Sequence, residues 1–113
     1  MEILFGNIYL VNFDPSIGKE YRKVRPALVI QSNEITQNSP LVTVMPISTN
    51  VEKPGQDDIL LSKDERNRLL HDSVLKTRQI SSFDKHRFMH RIGEVSPEVL
   101  QLLQGYLRKH FCL

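Results

Sequence analysis

Three clusters of polar side chains in this sequence could hold a phosphate group and the edge of a nucleotide base. The first spans Glu20 to Arg25, the second is Ser48-Thr49-Asn50, and the third is Lys76-Thr77-Arg78-Gln79. Arginine offers a planar fork of N–H donors that matches phosphate, and hydroxyl and amide groups add single hydrogen bonds. Taken one at a time, each cluster is more often the solvated loop of an ordinary small β protein than a binding site.

The histidines and acids favour surface roles over a metal site or an acid–base pair. A helix over His86 and His90 would place both rings on one face, as a zinc pair requires, yet no third ligand stands at a recognisable spacing. Imidazoles could do acid–base work on RNA, but nothing in the sequence brings two of them together. The adjacent acids Asp57 and Asp58 are interpreted as solvated loop residues. We therefore expect no metal and no cofactor.

The composition describes one globular domain, residues 1–113, with a weakly basic surface. Apolar residues make up 40% of the chain and charged residues 25%, with a net charge of +2 and a pI near 8.8. These values permit contact with phosphate without identifying a nucleic-acid binder. The single cysteine, Cys112, favours a reducing compartment. Because the chain has no signal peptide and no run of ~20 apolar residues, we expect a cytoplasmic protein without a membrane partner.

Arg25 has the best-defined setting of the candidate residues, because it stands at the start of a predicted buried strand. Ala27 to Ile30 is an unbroken apolar run that ends in two β-branched residues, which is typical of a strand buried on both faces. Pro26 fixes φ between the arginine and that run. We expect this strand, from Arg25 to about Ser32, to hold a functional guanidinium near solvent.

Apolar alternation and turn residues predict the remaining elements. Strands are expected at Ile8–Phe13, Leu41–Ile47, Asp58–Leu61, Ser73–Ile80 and Arg91–Val95, with a turn or short helix over 33–40 and one helical turn capped by Ser62. Pro46 suggests that the third strand is an edge strand or carries a bulge. The last element is an amphipathic helix with Ser96 as N-cap and Pro97 as first residue. Its core face would carry Val99, Leu103, Tyr106, Leu107 and His110.

Short strands followed by one helix indicate a mainly β (α+β) fold, a compact barrel or strongly bent sheet with a C-terminal helix packed on it. The segments that define it follow a distinctive order. They are Gly6-Asn7-Ile8-Tyr9, Gly18-Lys19-Glu20, Arg25-Pro26-Ala27-Leu28, Pro46-Ile47-Ser48-Thr49-Asn50, Asp72-Ser73-Val74, Gln79-Ile80, Asp84-Lys85, Arg91-Ile92-Gly93 and Ser96-Pro97-Glu98. In this order they resemble the MazF/PemK/Kid family of toxin endoribonucleases, over nearly the whole chain from Gly6.

The resemblance implies a small SH3-like β-barrel of the PemK/CcdB type, a homodimer, and metal-independent cleavage of single-stranded RNA (mRNA) at short sequences. It also implies a cognate antitoxin whose disordered segment covers the RNA groove. Arg25 matches the family's catalytic arginine, and Ser48 stands where the family usually has its catalytic threonine. Thr49 is a second candidate hydroxyl beside it. The residues assigned to RNA binding are Lys19, Arg22, Lys76, Arg78 and Gln79.

The expected mechanism is attack by the RNA's own 2′-OH on the adjacent phosphate, which gives a 2′,3′-cyclic phosphate and a 5′-OH end. Arg25 would stabilise the charge on the phosphorane rather than accept a proton. Ser48 would hydrogen-bond the phosphate or the 2′-OH, and Glu20 is the candidate general base. Two alternatives stay open. One is a barrel of the same family that binds nucleic acid or protein without cutting, which the serine at position 48 favours, and the other is a gyrase-directed toxin on the same fold.

Overall fold

The structure, a computed structural model, describes residues 1–13 and 24–113. Its elements in chain order are β1 (Asn7–Asn12), β2 (Val24–Val29), α1 (Asn33–Gln37), β3 (Leu41–Ser48), β4 (Ile59–Leu61), β5 (Ser73–Leu75), β6 (Ser81–Asp84), a 3₁₀ turn (Lys85–Arg87), β7 (Phe88–Glu94) and α2 (Pro97–Phe111). The predicted mainly β fold with a C-terminal helix is confirmed. Within the described ranges, no helix is long and apolar enough to cross a membrane.

The strands form one antiparallel sheet in the order β4-β5-β3-β2-β1-β7, with β6 beside β3. In the part of the chain that the structure describes, this path is open, so β4 and β7 are its two ends. β3 is the longest strand and the centre of the sheet. It pairs with β2 on one side, and on the other side with β6 through residues 41–44 and with β5 through Ile47 and Ser48.

Pro46 lies inside this central strand, and the prediction that its strand is an edge was wrong. It is paired with Ala27 of β2, and its carbonyl oxygen accepts a hydrogen bond from the Lys76 N–H on the other side. The N and C=O groups of one strand residue point to the same side, so the missing N–H of Pro46 faces β5 and β6. At this position β3 stops pairing with β6 and begins to pair with β5, so one backbone hydrogen bond between strands can be absent there.

Both faces of the sheet are buried, as the apolar run in β2 predicted. One core cluster lies beneath α2 and includes Ile8, Leu28, Met45, Leu75, Leu103 and Tyr106. The other lies on the opposite face and includes Tyr9, Val11, Ala27, Val29, Val44 and Phe88. Because successive residues of a strand point to opposite faces, β2 contributes alternately to the two clusters. The backbone of β2 is therefore held by packing on both faces from Ala27 to Val29, directly after Arg25 and Pro26.

Two expected elements differ from the structure because local polar groups form turns instead. The strand predicted over Ser73–Ile80 ends at Leu75, and a turn follows in which the Gln79 N–H donates to the Lys76 carbonyl oxygen at 3.1 Å. The chain then re-enters the sheet as β6. The helical turn predicted after Ser62 is also replaced by a turn, because the Asp64 carboxylate accepts hydrogen bonds from the N–H groups of residues 66 and 67.

The C-terminal helix α2 begins and packs as expected. The Ser96 hydroxyl accepts a hydrogen bond from the Val99 N–H at 3.3 Å, which is the N-cap that the sequence predicts. Leu103 and Tyr106 are buried against the sheet. The expectation that His110 also faces the core was wrong, because its ring is exposed and binds the Tyr106 hydroxyl at 2.7 Å through Nδ1.

Candidate active site

The structure brings Arg25, Ser48 and Thr49 together in one cleft, where β2 begins and β3 ends. The cleft has a volume of about 290 Å³, and Val24, Pro26 and Ile47 complete its lining. The antiparallel register explains the meeting. Since Ala27 is paired with Pro46, continuing the register by two residues brings Arg25 and Ser48 side by side.

Arg25 is held by its backbone while its side chain stays exposed. Its Cα is paired with Val11 of β1, and the next residue on the same face of β2, Ala27, is fully buried. No described residue forms a hydrogen bond or an ion pair with the guanidinium. A fork of donors on a rigid strand can therefore bind an anionic oxygen without first breaking a contact inside the described part of the protein.

The Ser48 hydroxyl is oriented by a local hydrogen bond. Its Oγ accepts the Asn50 N–H at 3.1 Å, so the hydroxyl proton is available to a further acceptor. The side chain is half-buried, whereas Thr49 is exposed and turns to a neighbouring pocket as well. Ser48 is thus the more buried of the two hydroxyl-bearing residues in this cleft, and its hydroxyl is oriented by a hydrogen bond.

A second, larger pocket of about 560 Å³ adjoins this cleft through Pro26 and Thr49. Its wall is mainly apolar, and Leu70 is 83% exposed. The lining side chains are Leu10, Leu69, Leu70 and Ile92 together with the polar rim Arg68, His71, Ser73, His90 and Arg91. Sequence reasoning missed this surface. The signal that could have found it is the pair of leucines at 69 and 70 in a stretch that is otherwise polar.

The wall that carries these leucines is fixed by Asn67 and Gly93. The buried Asn67 side chain accepts hydrogen bonds from the Asp64 and Leu69 N–H groups, each at 3.0 Å, and donates to the Ser62 carbonyl oxygen at 2.8 Å. The backbone of this turn lies so close to β7 that a Cβ on Gly93 would come within 2.5 Å of the Asn67 carbonyl oxygen. The apolar pocket is therefore built on rigid backbone.

The interpretation of Asp57 and Asp58 as solvated loop acids was wrong. The Asp58 side chain is only 4% exposed, and its Oδ2 accepts hydrogen bonds from Lys76 Nζ and the Gly55 N–H, each at 2.7 Å. Its Oδ1 accepts the Thr77 N–H at 3.3 Å. Burial would raise the pKa of Asp58, but these hydrogen bonds and the Lys76 charge outweigh burial and lower the pKa below its ordinary value.

Asp57 binds two cations at the surface of the same cluster. Its Oδ1 lies 2.9 Å from Lys109 Nζ and its Oδ2 lies 3.5 Å from Arg78 Nη2. The hydrogen bond from Lys109, with help from Arg78, lowers the pKa of this carboxyl. Two of the residues assigned to RNA binding, Lys76 and Arg78, thus each have an acidic partner.

The other predicted residues fall into two groups. Gln79 is exposed in the turn that follows β5, and it does not line the cleft of Arg25 and Ser48. Lys19, Glu20 and Arg22 lie outside the described residues.

The histidines do not form the helical pair that a zinc site would need. His86 lies in the 3₁₀ turn and binds Asp84 Oδ1 at 2.7 Å, whereas His90 lies in β7 and lines the apolar pocket. Over residues 1–13 and 24–113, no group of three or more His, Cys, Asp and Glu side chains is arranged to hold a metal ion.

Comparison with known proteins agrees with this architecture. Residues 5–111 match the family model described as PemK-like, MazF-like toxin of type II toxin-antitoxin system. The chain is 30% identical over 103 residues to Endoribonuclease EndoA of Bacillus subtilis, covering 91% of this chain and 89% of that one. It is 30% identical over 113 residues to Endoribonuclease MazF9 of Mycobacterium tuberculosis, covering 96% and 95%. The fold matches a MazE-MazF crystal structure from Deinococcus radiodurans with a TM-score of 0.82, at 21% identity over 100% and 98% of the two chains.

Proposed function

This chain belongs to the PemK-like, MazF-like toxin family of type II toxin–antitoxin systems, and on that premise we propose that it is an endoribonuclease toxin. Its substrate is single-stranded mRNA in the cytoplasm, cut at a short sequence without a metal ion. The names of the relatives EndoA and MazF9 support the activity. The observation that carries the proposal is the exposed Arg25 guanidinium beside the Ser48 hydroxyl in one cleft.

The reaction begins with attack by the 2′-oxygen of the RNA on its adjacent phosphorus. An O2′–P bond forms, the P–O5′ bond breaks, the proton of the 2′-OH passes to a base, and the leaving 5′-oxygen takes a proton from water. The products are a 2′,3′-cyclic phosphate and a 5′-OH end. Glu20 is the proposed base, because a carboxylate can accept the proton and Glu20 stands five positions before Arg25 in the sequence.

Arg25 and Ser48 have different tasks in this scheme. Negative charge builds on the phosphorane oxygens, and a permanently charged fork of donors stabilises that charge more than it stabilises the ground state. Arg25 does not serve as the base because a guanidinium keeps its proton near neutral pH. Ser48, whose Oγ already accepts the Asn50 N–H, donates a hydrogen bond to the scissile phosphate or to the 2′-oxygen and keeps its proton.

The residues proposed to bind the rest of the RNA come from three parts of the chain. Thr49 lines the cleft of Arg25 and Ser48 directly. Gln79 and Arg78 are exposed in the turn after β5, while Lys76 must leave Asp58 before its ammonium can reach a phosphate. Lys19 and Arg22 precede Arg25 in the chain and complete the proposed RNA-binding set.

We further propose that two copies of the chain associate over the apolar pocket and that an antitoxin covers the RNA groove. The exposed leucine and apolar wall of that pocket are the kind of patch that marks a protein interface. The MazE-MazF structure from Deinococcus radiodurans, similar in fold, supports an antitoxin partner. If the dimer forms here, Leu70→Asp should give monomers in analytical ultracentrifugation, while an unchanged dimer would exclude this surface.

Incubation of the pure protein with a long RNA in EDTA tests the central proposal. We expect cuts at one short sequence, with every new end carrying a 5′-OH and its upstream neighbour a cyclic phosphate. RNA with a 2′-O-methyl group at the scissile nucleotide should bind but stay intact, because the nucleophile is gone. Intact RNA under all metal conditions, or cleavage of the 2′-O-methyl substrate, would contradict the proposal.

A further inference from the structure

The Asp57 carboxylate is shared by two cations from different parts of the chain. Lys109, in the last turn of α2, lies 2.9 Å from Oδ1, within the normal range of a charge-assisted hydrogen bond. Arg78, in the turn after β5, lies 3.5 Å from Oδ2, beyond that range. Asp57 therefore holds Lys109 closely and Arg78 loosely.

The neighbouring pair of Asp58 and Lys76 is closer and more buried than the pair of Asp57 and Arg78. Their charged atoms are 2.7 Å apart, and the Lys76 side chain is only 24% exposed. Arg78, two residues along the same turn, is 62% exposed. Lys76 is thus held more firmly than Arg78, whose exposed side chain can exchange its partner more readily.

The shared carboxylate is connected to the proposed active site through β3. Asp57 lies in the segment of residues 49–58 that joins Ser48, at the end of β3, to β4. The turn that carries Arg78 is fastened to β3 by the hydrogen bond from the Lys76 N–H to the Pro46 carbonyl oxygen, at 2.9 Å, two residues before Ser48. A change of partner at Arg78 therefore takes place beside the strand that supplies the catalytic hydroxyl.

We infer that Asp57 is a positioning residue that competes with RNA phosphates for Arg78, and that Lys109 sets how strongly it competes. This inference rests on the proposed function. One carboxylate that is already paired with Lys109 holds Arg78 weakly, so a phosphate can displace it. Without Lys109 the carboxylate would turn to Arg78 alone, and without Asp57 the guanidinium would be available to RNA at all times.

The test measures the affinity for single-stranded RNA with a 2′-O-methyl group at the mapped cut site, at several salt concentrations. Asp57→Asn should tighten binding by roughly fivefold, since an exposed ion pair no longer has to be broken. The slope of log affinity against log salt should steepen by at most about 0.7, the value for one full phosphate contact on a single strand, because wild-type Arg78 makes that contact in only part of the complexes. Lys109→Met should change both quantities in the opposite direction.

Two control variants remove the same charges without touching this carboxylate. Glu52→Gln lies on the same loop as Asp57, and Arg108→Met lies beside Lys109 on α2. If either control shifts the salt slope as much as its matched variant does, general electrostatics explains the effect and the inference fails. A loss of folding in any variant is detected separately by its thermal unfolding.

The decisive test repeats both substitutions in a protein that also carries Arg78→Ala. In that variant, Asp57→Asn and Lys109→Met should no longer change the salt slope, because the residue over which they compete is absent. Changes that persist without Arg78 would overturn the inference. Its failure is distinguishable from failure of the proposed function, which would appear as intact unmodified RNA in the wild-type protein.

Discussion

The cleft at Arg25 and the cluster around Asp58 differ in whether their charged side chains are exposed or buried, and in whether they are paired. Arg25 is exposed, and no described residue pairs with it. Asp58 is almost fully buried and accepts hydrogen bonds from Lys76 and from the N–H groups of Gly55 and Thr77. A charge at the surface keeps its hydration without a partner, whereas a buried charge needs its partners to offset desolvation. The cation with no described partner, rather than the paired one, lies in the candidate site.

This difference also predicts which property each region controls. Removing an unpaired surface cation should leave the folded state almost unchanged and remove only what that cation binds. Removing a buried acid should leave its donors unsatisfied and destabilise the fold. Asp57, at the edge of the cluster and shared between two surface cations, lies between these extremes.

Replacement of Arg25 by alanine should produce the largest change in activity. We expect the cleavage rate to fall by about 100- to 1000-fold, as on removal of one strong electrostatic donor from a transition state. The melting temperature should stay at the wild-type value because the side chain has no partner among the described residues. Single-turnover cleavage and thermal unfolding on the same preparation measure both.

Arg25→Lys is the matched control for this change. It keeps the positive charge but loses the forked geometry, so its cleavage rate should lie between those of alanine and arginine. Wild-type turnover by Arg25→Ala would remove this residue from the site. A large fall in its melting temperature would show that the guanidinium has a structural role.

Replacement of Asp58 by alanine should have the second-largest effect, and on stability. We expect the free energy of unfolding to fall by about 2 kcal/mol, because Lys76 and two backbone N–H groups lose their acceptor. The neighbouring acid provides the comparison, since Asp57→Asn, which keeps a side chain that tolerates the positive φ at this position, should lower the free energy of unfolding much less. Equal destabilisation by the two variants would show that burial does not separate these acids.

The contribution of Asp58 should also depend on pH in a defined direction. Its pKa is lowered in the folded protein, so its stabilising effect is complete above the unfolded-state pKa near ~4 and is lost as pH falls through the lower folded-state pKa. The difference in unfolding free energy between wild type and Asp58→Ala should therefore be constant near neutral pH and shrink below about pH 4. A difference that grows on acidification would contradict the assignment.

The parts of the fold with strong local patterns could be predicted from the sequence. The apolar run after Pro26 specifies a strand buried on both faces, and the Ser96-Pro97 start specifies the last helix. The turn after Leu75 could not be found this way, because Thr77 reads as an ordinary strand residue. It becomes a turn residue only when its hydroxyl meets the Asp57 carbonyl oxygen, at 3.1 Å, from a distant part of the chain.

The candidate site, like the fold, has parts that the sequence could predict and parts that it could not. Family resemblance names Arg25 and Ser48, and the β2–β3 register brings them into one cleft. Whether a basic residue such as Lys76 is available to RNA depends on the acid it meets, and that contact spans 18 residues of sequence. Local patterns carry no information about such long-range pairs.

Replacement of Ser48 by alanine should lower the cleavage rate less than Arg25→Ala does, and the stability less than Asp58→Ala does. A hydrogen bond to a charged phosphate is lost while Arg25 remains, so we expect the cleavage rate to fall by about tenfold. The Asn50 N–H, which the hydroxyl accepts, belongs to an exposed residue and can bind water instead. The melting temperature should therefore change little. Ser48→Thr, which keeps the hydroxyl, should cut RNA at the wild-type rate. Full activity in the alanine variant would show that this hydroxyl does not contribute to cleavage. Of the residues proposed to be catalytic in this cleft, Arg25 alone would then remain.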